Sequence, residues 1–362
     1  MFPFLPLFTQ NLPMLHNAII ADSTYDTAMI DMMPSILAAG TRSPRTQYVP
    51  IYDLKTVSDF NALKLFRFTV QINDMIDAMQ LPPSIITDSK HTVSTFDAMC
   101  ILLRRLVYPN RLFDLTTQFG MSNTTLSRII NGMAMELGNR FNDFIALWPG
   151  LSIDRVHEYS DVVSAHTDGV ITDVWGFVDG TLRYMCRPNE MQEASYSGHK
   201  HTHGQKFQSI ISPDGLIVSL LGPYGASRPD IVVYVDSNTA EMLYPYTRHD
   251  DHSHYLLGDK AYQTAEQVIV PYSTPRSQHE SAYNALHSSV RISVEWGFGK
   301  VVRYFAYINY KTSLRVHLQP IALLYKLAVL FTNIHTCINS SSQPSSLFNI
   351  NVPTLQEYFQ HH

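Results

Sequence analysis

The sequence predicts an α/β protein: a mixed sheet with helices on its faces, preceded by an all-helical segment. Three observations lead there. Residues 61–150 show apolar positions at three- and four-residue spacing with capping and stop signals. Beyond Trp148-Pro149-Gly150 the pattern changes to short apolar runs bounded by turn residues. Two long helical patterns then close the chain, so the order after residue 150 is strand, hairpin, helix, strand, strand, helix, helix, which only a mixed sheet accommodates. Four regions follow: an irregular extension over 1–60, a helical domain over 61–150, a sheet domain over 151–338 and a flexible tail over 339–362.

Element by element, residues 1–60 lack a period and are rich in Pro, Ser and Thr near Thr41 to Val49. Residues 61–80 read as one helix stopped by Pro82 and Pro83. Ser94 caps a helix from Thr95 to Tyr108, ended by Pro109. A helix from about Arg111 to Phe119 stops at Gly120, which can take a left-handed conformation. Ser122 caps the next helix, Asn123 to about Leu137. That short helix, glycine turn and capped helix form a helix-turn-helix pattern. Its last helix carries Ser122, Asn123, Thr124 and Arg128 as candidate DNA contacts, polar groups suited to base edges and phosphates, while Leu126, Ile129 and Ile130 turn inward. An ordinary three-helix bundle is the competing interpretation.

Val174 to Val178 reads as a buried strand turning at Asp179-Gly180-Thr181. Lys206 to Ser212 and Leu216 to Leu221 flank Pro213-Asp214-Gly215 as a hairpin. Asp230 is expected to cap a helix through Leu243, with support of a nearby site as the alternative. Tyr255 to Gly258 is a strand ending at Asp259, and Val268 to Pro271 another. Glu280 to Phe305 and Val316 to Ile338 are the closing helices. Asp179 and Asp259 thus share a setting at strand ends, where α/β folds place sites. Two ionised carboxylates in proximity repel unless a cation joins them, and aspartate oxygens suit hard cations such as Mg²⁺ or Mn²⁺. Glu295, between Val294 and Trp296, adds a third acid on a helix. Two aspartates and a glutamate are the donors a two-metal phosphoryl-transfer site needs. Turn residues and a solvated helix position would look the same.

Composition narrows the classes. The chain has 362 residues, of which 45% are hydrophobic and 16% charged, so a sizeable core forms and disorder is excluded. Three scattered cysteines fit neither a disulfide framework nor a four-cysteine zinc site. The first 20 residues hold Pro3, Pro6 and Pro13 and no Lys or Arg, unlike a secretory signal. No run of 18 apolar residues occurs, and the nearest, Ile321 to Ile334, contains Lys326, so no membrane span is expected. Net charge is −5, distributed as −3 over 1–89, +2 over 90–150, −8 over 151–299, +5 over 300–338 and −1 over 339–362. The +5 segment, with Arg303, Lys311, Arg315 and Lys326, reads either as helix surface or as a phosphate-gripping face beside the acids.

The ordered set LLRRLVYPNRL…FGMSNTTLSRI (from Leu102), GFVDGT (from Gly176), YSGHKHTHGQKFQ (from Tyr196), LLGDKAY (from Leu256) and VEWGFGKV (from Val294) resembles the PIF/Harbinger transposases and Harbinger-derived nucleases, over about Phe66 to Asn333. The resemblance implies an RNase H-like DDE nuclease domain behind a helix-turn-helix. Asp179, Asp259 and Glu295 match its catalytic, metal-binding acids, served by two Mg²⁺ or Mn²⁺ ions. It implies DNA as partner, with Lys200 and Lys206 in a basic, DNA-facing segment. It further implies a Myb-like accessory protein for DNA binding and nuclear entry, the cytoplasm being the location otherwise; a homodimer is the oligomeric state to test. Two rivals stand beside the nuclease: a domesticated DNA-binding protein that no longer cuts, and a metallohydrolase using His199, His201 and His203, whose alternation would set all three on one strand face. His249, Asp250, Asp251, His252 and His254 read as a solvated loop.

Overall fold

The structure is a computed structural model describing residues 56–69, 71–249, 252–316 and 318–360. The expected extension over 1–60 therefore lies almost wholly outside the described residues, as do Asp250 and Asp251.

The helix expected over 61–80 is two, α1 (Asp59–Phe66) and α2 (Ile72–Ala78), because Arg67 turns left-handed (φ 67°) and sends its Nε to the Tyr304 carbonyl. A short hairpin, β1 (Ser84–Ile86) and β2 (Thr92–Ser94), follows the prolines. Ser94 caps α3 (Thr95–Val107), accepting from the Asp97 N–H at 3.0 Å. Next come α4 (Leu112–Phe119), Gly120 at φ 66°, and α5 (Asn123–Ala146), capped by Ser122 through the Thr125 N–H. The last helix runs nine residues beyond the expected Leu137 because its apolar stripe continues through Phe141, Phe144 and Ile145, all buried. After Trp148 comes α6 (Ile153–His166).

The central strand is β3 (Val174–Tyr184). Behind it, β4 (Tyr196–Ser197) pairs with the start of β5 (Thr202–Ile211), and β6 (Ile217–Gly225) completes the hairpin. Two helices, α7 (Asp230–Asp236) and α8 (Thr239–Thr247), replace the single one expected from Asp230, since Asn238 between them is left-handed. A hairpin of β7 (Arg248–His249) and β8 (His252–Ser253) leads into β9 (Tyr255–Leu257) and β10 (Val268–Ile269). The sheet order is β10-β9-β3-β5-β6; β9 and β10 run parallel to the centre, and β5 and β6 form the antiparallel side.

The long helix α9 (Gln278–Tyr304) lies on β3 and β5. Helix α10 (Ile321–Asn339) starts after Pro320 and packs among α5, β6 and α9. By length and composition α10 could cross a membrane, but it is mostly buried inside the protein. Such burial is what a core helix shows.

The tail expected to be flexible is instead ordered. It forms α11 (Gln343–Phe348) and α12 (Leu355–Phe359), each with a capping box. Tyr358 and Phe359 insert against Phe144, and the Trp148 indole donates to the Tyr358 carbonyl at 2.9 Å. Asn333 on α10 bonds both the N–H and carbonyl of Ile217 and also Tyr358 Oη, tying helix, sheet and tail. The sequence concealed this because the aromatic pair is short and flanked by polar residues. Phe359→Ala should lower stability by about 3 kcal/mol or more in urea unfolding, the usual cost of emptying a buried aromatic site; a loss under about 0.5 kcal/mol would mean the tail is not part of the core.

Candidate functional site

Sheet register brings the two predicted aspartates together. β3 and β9 are parallel, and their last paired rung is Phe177 with Leu257. Asp179 and Asp259 each lie two residues past that rung, so they come level on neighbouring chains. Their settings differ from expectation in one respect. β3 does not turn at Asp179 but continues to Tyr184, with Asp179 opposite Ser209. The strand persists because β5 extends its ladder after β9 has ended. Asp179 Oδ1 accepts from the Gly180 N–H at 2.9 Å, and Asp259 Oδ1 accepts from the Ala261 N–H at 2.8 Å, capping a short 3₁₀ turn over Lys260–Tyr262.

A third carboxylate joins them. A Cβ built on Gly180 would sit 1.9 Å from Asp230 Oδ1, so only glycine lets Asp230 press against this backbone. Asp230 does not cap its helix as expected: Pro229 holds the N-cap position, and Asp230 Oδ1 instead pairs with Lys206 Nζ at 3.2 Å. The Tyr262 hydroxyl is buried without a hydrogen-bond partner. Burial, then the charges of Asp230, Asp179 and Asp259, push its pKa well up. Three acids therefore converge electrostatically on one orphaned hydroxyl.

Helix α9 supplies the opposite wall. His287, Arg291 and Glu295 recur every four residues and share one face. Arg291 Nη1 reaches Asp179 Oδ2 at 3.2 Å. Burial raises the Asp179 pKa to about 6, countered by Arg291 and reinforced by Asp259. His287 is buried, which lowers its pKa, and its Nε2 lacks a partner. Glu295 lies one turn beyond Arg291 and is exposed. A Cβ on Gly297 would meet Ile211 Cδ1 at 2.4 Å, so α9 is seated closely on β5 just past Glu295. Among the described residues, no group of three or more His, Cys, Asp or Glu side chains is set to hold a metal ion. The acids interact through their fields without sharing a coordination sphere, as mutual repulsion dictates, and the cations Arg291 and Lys206 take separate partners.

The remaining candidates are dispersed. Ser122, Asn123 and Thr124 are exposed at the start of α5, and Leu126, Ile129 and Ile130 are buried. Arg128 lies 3.9 Å from Asp88. Lys200 is exposed in the turn before β5, but Lys206 is held by Asp230 and the Arg228 carbonyl rather than turned outward. His199 and His201 lie in that turn and only His203 is in β5, so the three do not line one strand face. His249 and His252 pair across a hairpin, and His254 is buried with its Nε2 3.0 Å from His157 Nδ1. Sequence reasoning did not single out Arg291 and His287; their four-residue spacing back from Glu295 was the available signal.

The sheet presents two aspartates past a common parallel rung, beneath a charged helix, which defines the class: a mixed α/β protein with a cluster of carboxylates at the end of its parallel strands. Residues 178–333 match the family model described as DDE superfamily endonuclease. It is also 20% identical over 240 residues to Protein ALP1-like of Arabidopsis thaliana, an alignment covering 63% of this chain and 57% of that protein. The chain thus spans little more than half the length of that relative. No solved structure matches.

The Asp179 environment carries a pH signature. Its folded pKa, about 6, exceeds the ordinary 3.8, so the folded protein keeps a proton that the unfolded chain releases between those values. This group's contribution is fully present below about pH 4 and is lost as pH rises through about 6, at roughly 1.4 kcal/mol for each tenfold difference in proton affinity between the folded and unfolded chains. Asparagine keeps the neutral form at every pH. Asp179→Asn should therefore stabilise the protein more at pH 7 than at pH 4, by about 2 kcal/mol in urea titrations at the two pH values. An unchanged pH profile would contradict the burial of this carboxylate.

Proposed function

We propose that this chain is a metal-dependent DNA endonuclease or transposase of the DDE type, with an RNase H-like catalytic domain related to the PIF/Harbinger group. The observation that carries it is the shared register of Asp179 and Asp259 two residues past one parallel rung, with Glu295 on the face of α9 that already contacts Asp179. The donors fit hard divalent ions: three carboxylates, no thiolate, and an orphaned Tyr262 hydroxyl in their combined field. Asp179, Asp259 and Glu295 would hold Mg²⁺ or Mn²⁺, in a pair as such chemistry uses. When bound, the ions supply charge for activating a nucleophile and stabilising a leaving oxygen. The chain's own residues prepare the place. Arg291 holds Asp179 in its rotamer, Lys206 neutralises Asp230, and Gly180 lets Asp230 approach.

Substrate DNA would meet Ser122, Asn123, Thr124 and Arg128 on α5, used as a helix-turn-helix, together with Lys200. A Myb-like partner, nuclear entry through it, and a homodimer belong to the same proposal. A second reading has a specific observation in its favour. The Arg291–Asp179 ion pair, and a Glu295 set apart from any metal-ready cluster among the described residues, suit a domesticated DNA-binding protein that no longer cleaves.

Nicking of a duplex bearing an element's terminal repeats, in Mg²⁺ and in Mn²⁺, separates the two. Under the nuclease reading, wild type nicks, and Glu295→Gln and Asp179→Asn fold and bind DNA but lose cleavage by at least 100-fold (about 2.7 kcal/mol). Glu295→Gln nicking at the wild-type rate would remove Glu295 from the site. A wild type that binds this duplex without nicking it, with a salt slope reduced by about 0.9 in Arg128→Ala, would favour the second reading.

A further inference from the structure

Between Glu295 and Glu357 the chain contains no Asp or Glu, but it carries Lys300, Arg303, Lys311, Arg315 and Lys326. Lys311 and Lys326 donate to neutral groups, Thr202 Oγ1 and Asn142 Oδ1. The other two cations of α9 have a more distinctive setting. Lys300 and Arg303, with Trp296 and Tyr304, form one wall of a groove of about 600 Å³ whose other wall is the segment before and within α11, including Ser341 and Gln343. Among the described residues, no carboxylate lines it. Lys300 Nζ donates to Thr336 Oγ1 at 2.6 Å, and burial without a counter-ion pushes its pKa down to about 8. Arg303 is exposed.

This groove is separate from the carboxylate site. Trp296, Lys300 and Arg303 follow a stripe of α9 roughly a third of a turn away from His287, Arg291 and Glu295, at about 100° per residue. Gly215, which also lines the groove, lies in the β5–β6 turn past the Phe177–Ile211 pair, on the far side of that rung from Asp179. Of the two readings of the +5 segment, Lys300 and Arg303 therefore do not form a face beside the aspartates.

We propose that this groove binds a segment of single-stranded nucleic acid, with Arg303 and Lys300 on phosphates and Trp296 against a base. Cations without competing acids, hydroxyl and amide donors, and an aromatic ring are the groups that hold a strand through its backbone and the faces of its bases. A duplex keeps its base faces stacked inside, where Trp296 cannot reach them, so an unpaired segment is the form that uses this ring. The buried Lys300 gains most, because a phosphate supplies the counter-charge it lacks. Strand binding here goes beyond the nuclease reading and does not require cleavage.

Trp148 and Trp175 are 1% and 0% exposed, whereas Trp296 is partly accessible, so quenching of tryptophan emission reports on this groove. The experiment titrates an oligothymidylate strand into the full chain without divalent metal. Saturable quenching is expected, lost in Trp296→Phe. Arg303→Ala, a surface change that leaves the core intact, should weaken binding about tenfold and reduce the salt slope by about 0.7; Lys300→Met should weaken it further. Inorganic phosphate and thymidine monophosphate are the competing arms. Displacement by either at the strand's own affinity would assign the groove to a free phosphate compound and overturn the strand assignment. Absence of quenching, or quenching undiminished in Arg303→Ala, would overturn it also. Asp179→Asn should bind the strand as wild type does, so loss of cleavage and loss of strand binding are read independently.

Discussion

Asp179 is a carboxylate placed on the central strand of a sheet, four-fifths shielded from water, with Asp259 in its field and Asp230 against the next residue. Placing like charges at low dielectric costs several kcal/mol unless opposite charge is supplied. That constraint organises what surrounds it. Arg291 has to be on the overlying helix at the height of Asp179, which fixes the rotation and depth of α9. Gly297 then lies close on β5, where a Cβ would push the tip of the Ile211 side chain aside. Lys206, on the adjacent strand, is turned toward Asp230 and cannot point outward. The glycine after Asp179 follows from the same crowding. Arg291, Lys206 and Gly180 are thus explained by the carboxylates at one pole of the sheet, and Gly297 by packing.

Holding α9 in register requires a rigid frame, and the helical half and the tail provide it. The buried hydrophobic residues of α3, α5, α10, the sheet and α12 form one contiguous cluster. Arg105 of α3 is almost fully buried, donates to Tyr307 Oη at 2.7 Å and stacks over the Tyr307 ring, joining the N-terminal helices to the chain just after α9. Arg67 reaches the last carbonyl of α9 from the other side.

Much of this was legible from local chemistry. Ser94, Ser122 and Gly120 act as the caps their residue types announced, because capping needs only the next three residues. The two aspartates were readable because each follows a short apolar run. What failed were features decided at long range. Arg67 and Asn238 interrupt helices whose apolar spacing continues across them. The continuation of β3 past Asp179 depends on β5, whose Ser209 is 30 residues further along the chain. Tyr358 and Phe359 form part of the core only because α5 and α10 leave room for them. The setting of Glu295 is of the same kind: its helix face follows from Arg291 four residues earlier, but its exposure to solvent is decided by how α9 seats on the sheet.

Asp179 and Asp259 act, on this view, as one cation-seeking pair, served by Arg291 when no ion is bound. Calorimetric titration of Mn²⁺ into the full chain tests this most directly. Saturable binding to wild type is expected, tighter binding to Arg291→Gln, where the competing guanidinium is gone, and none to the double variant Asp179→Asn/Asp259→Asn. Thermal unfolding in the presence of Mn²⁺ should shift upward in the same order, as mass action requires. Mn²⁺ binding that is absent from wild type and from Arg291→Gln alike, or equal in the double aspartate variant, would contradict it.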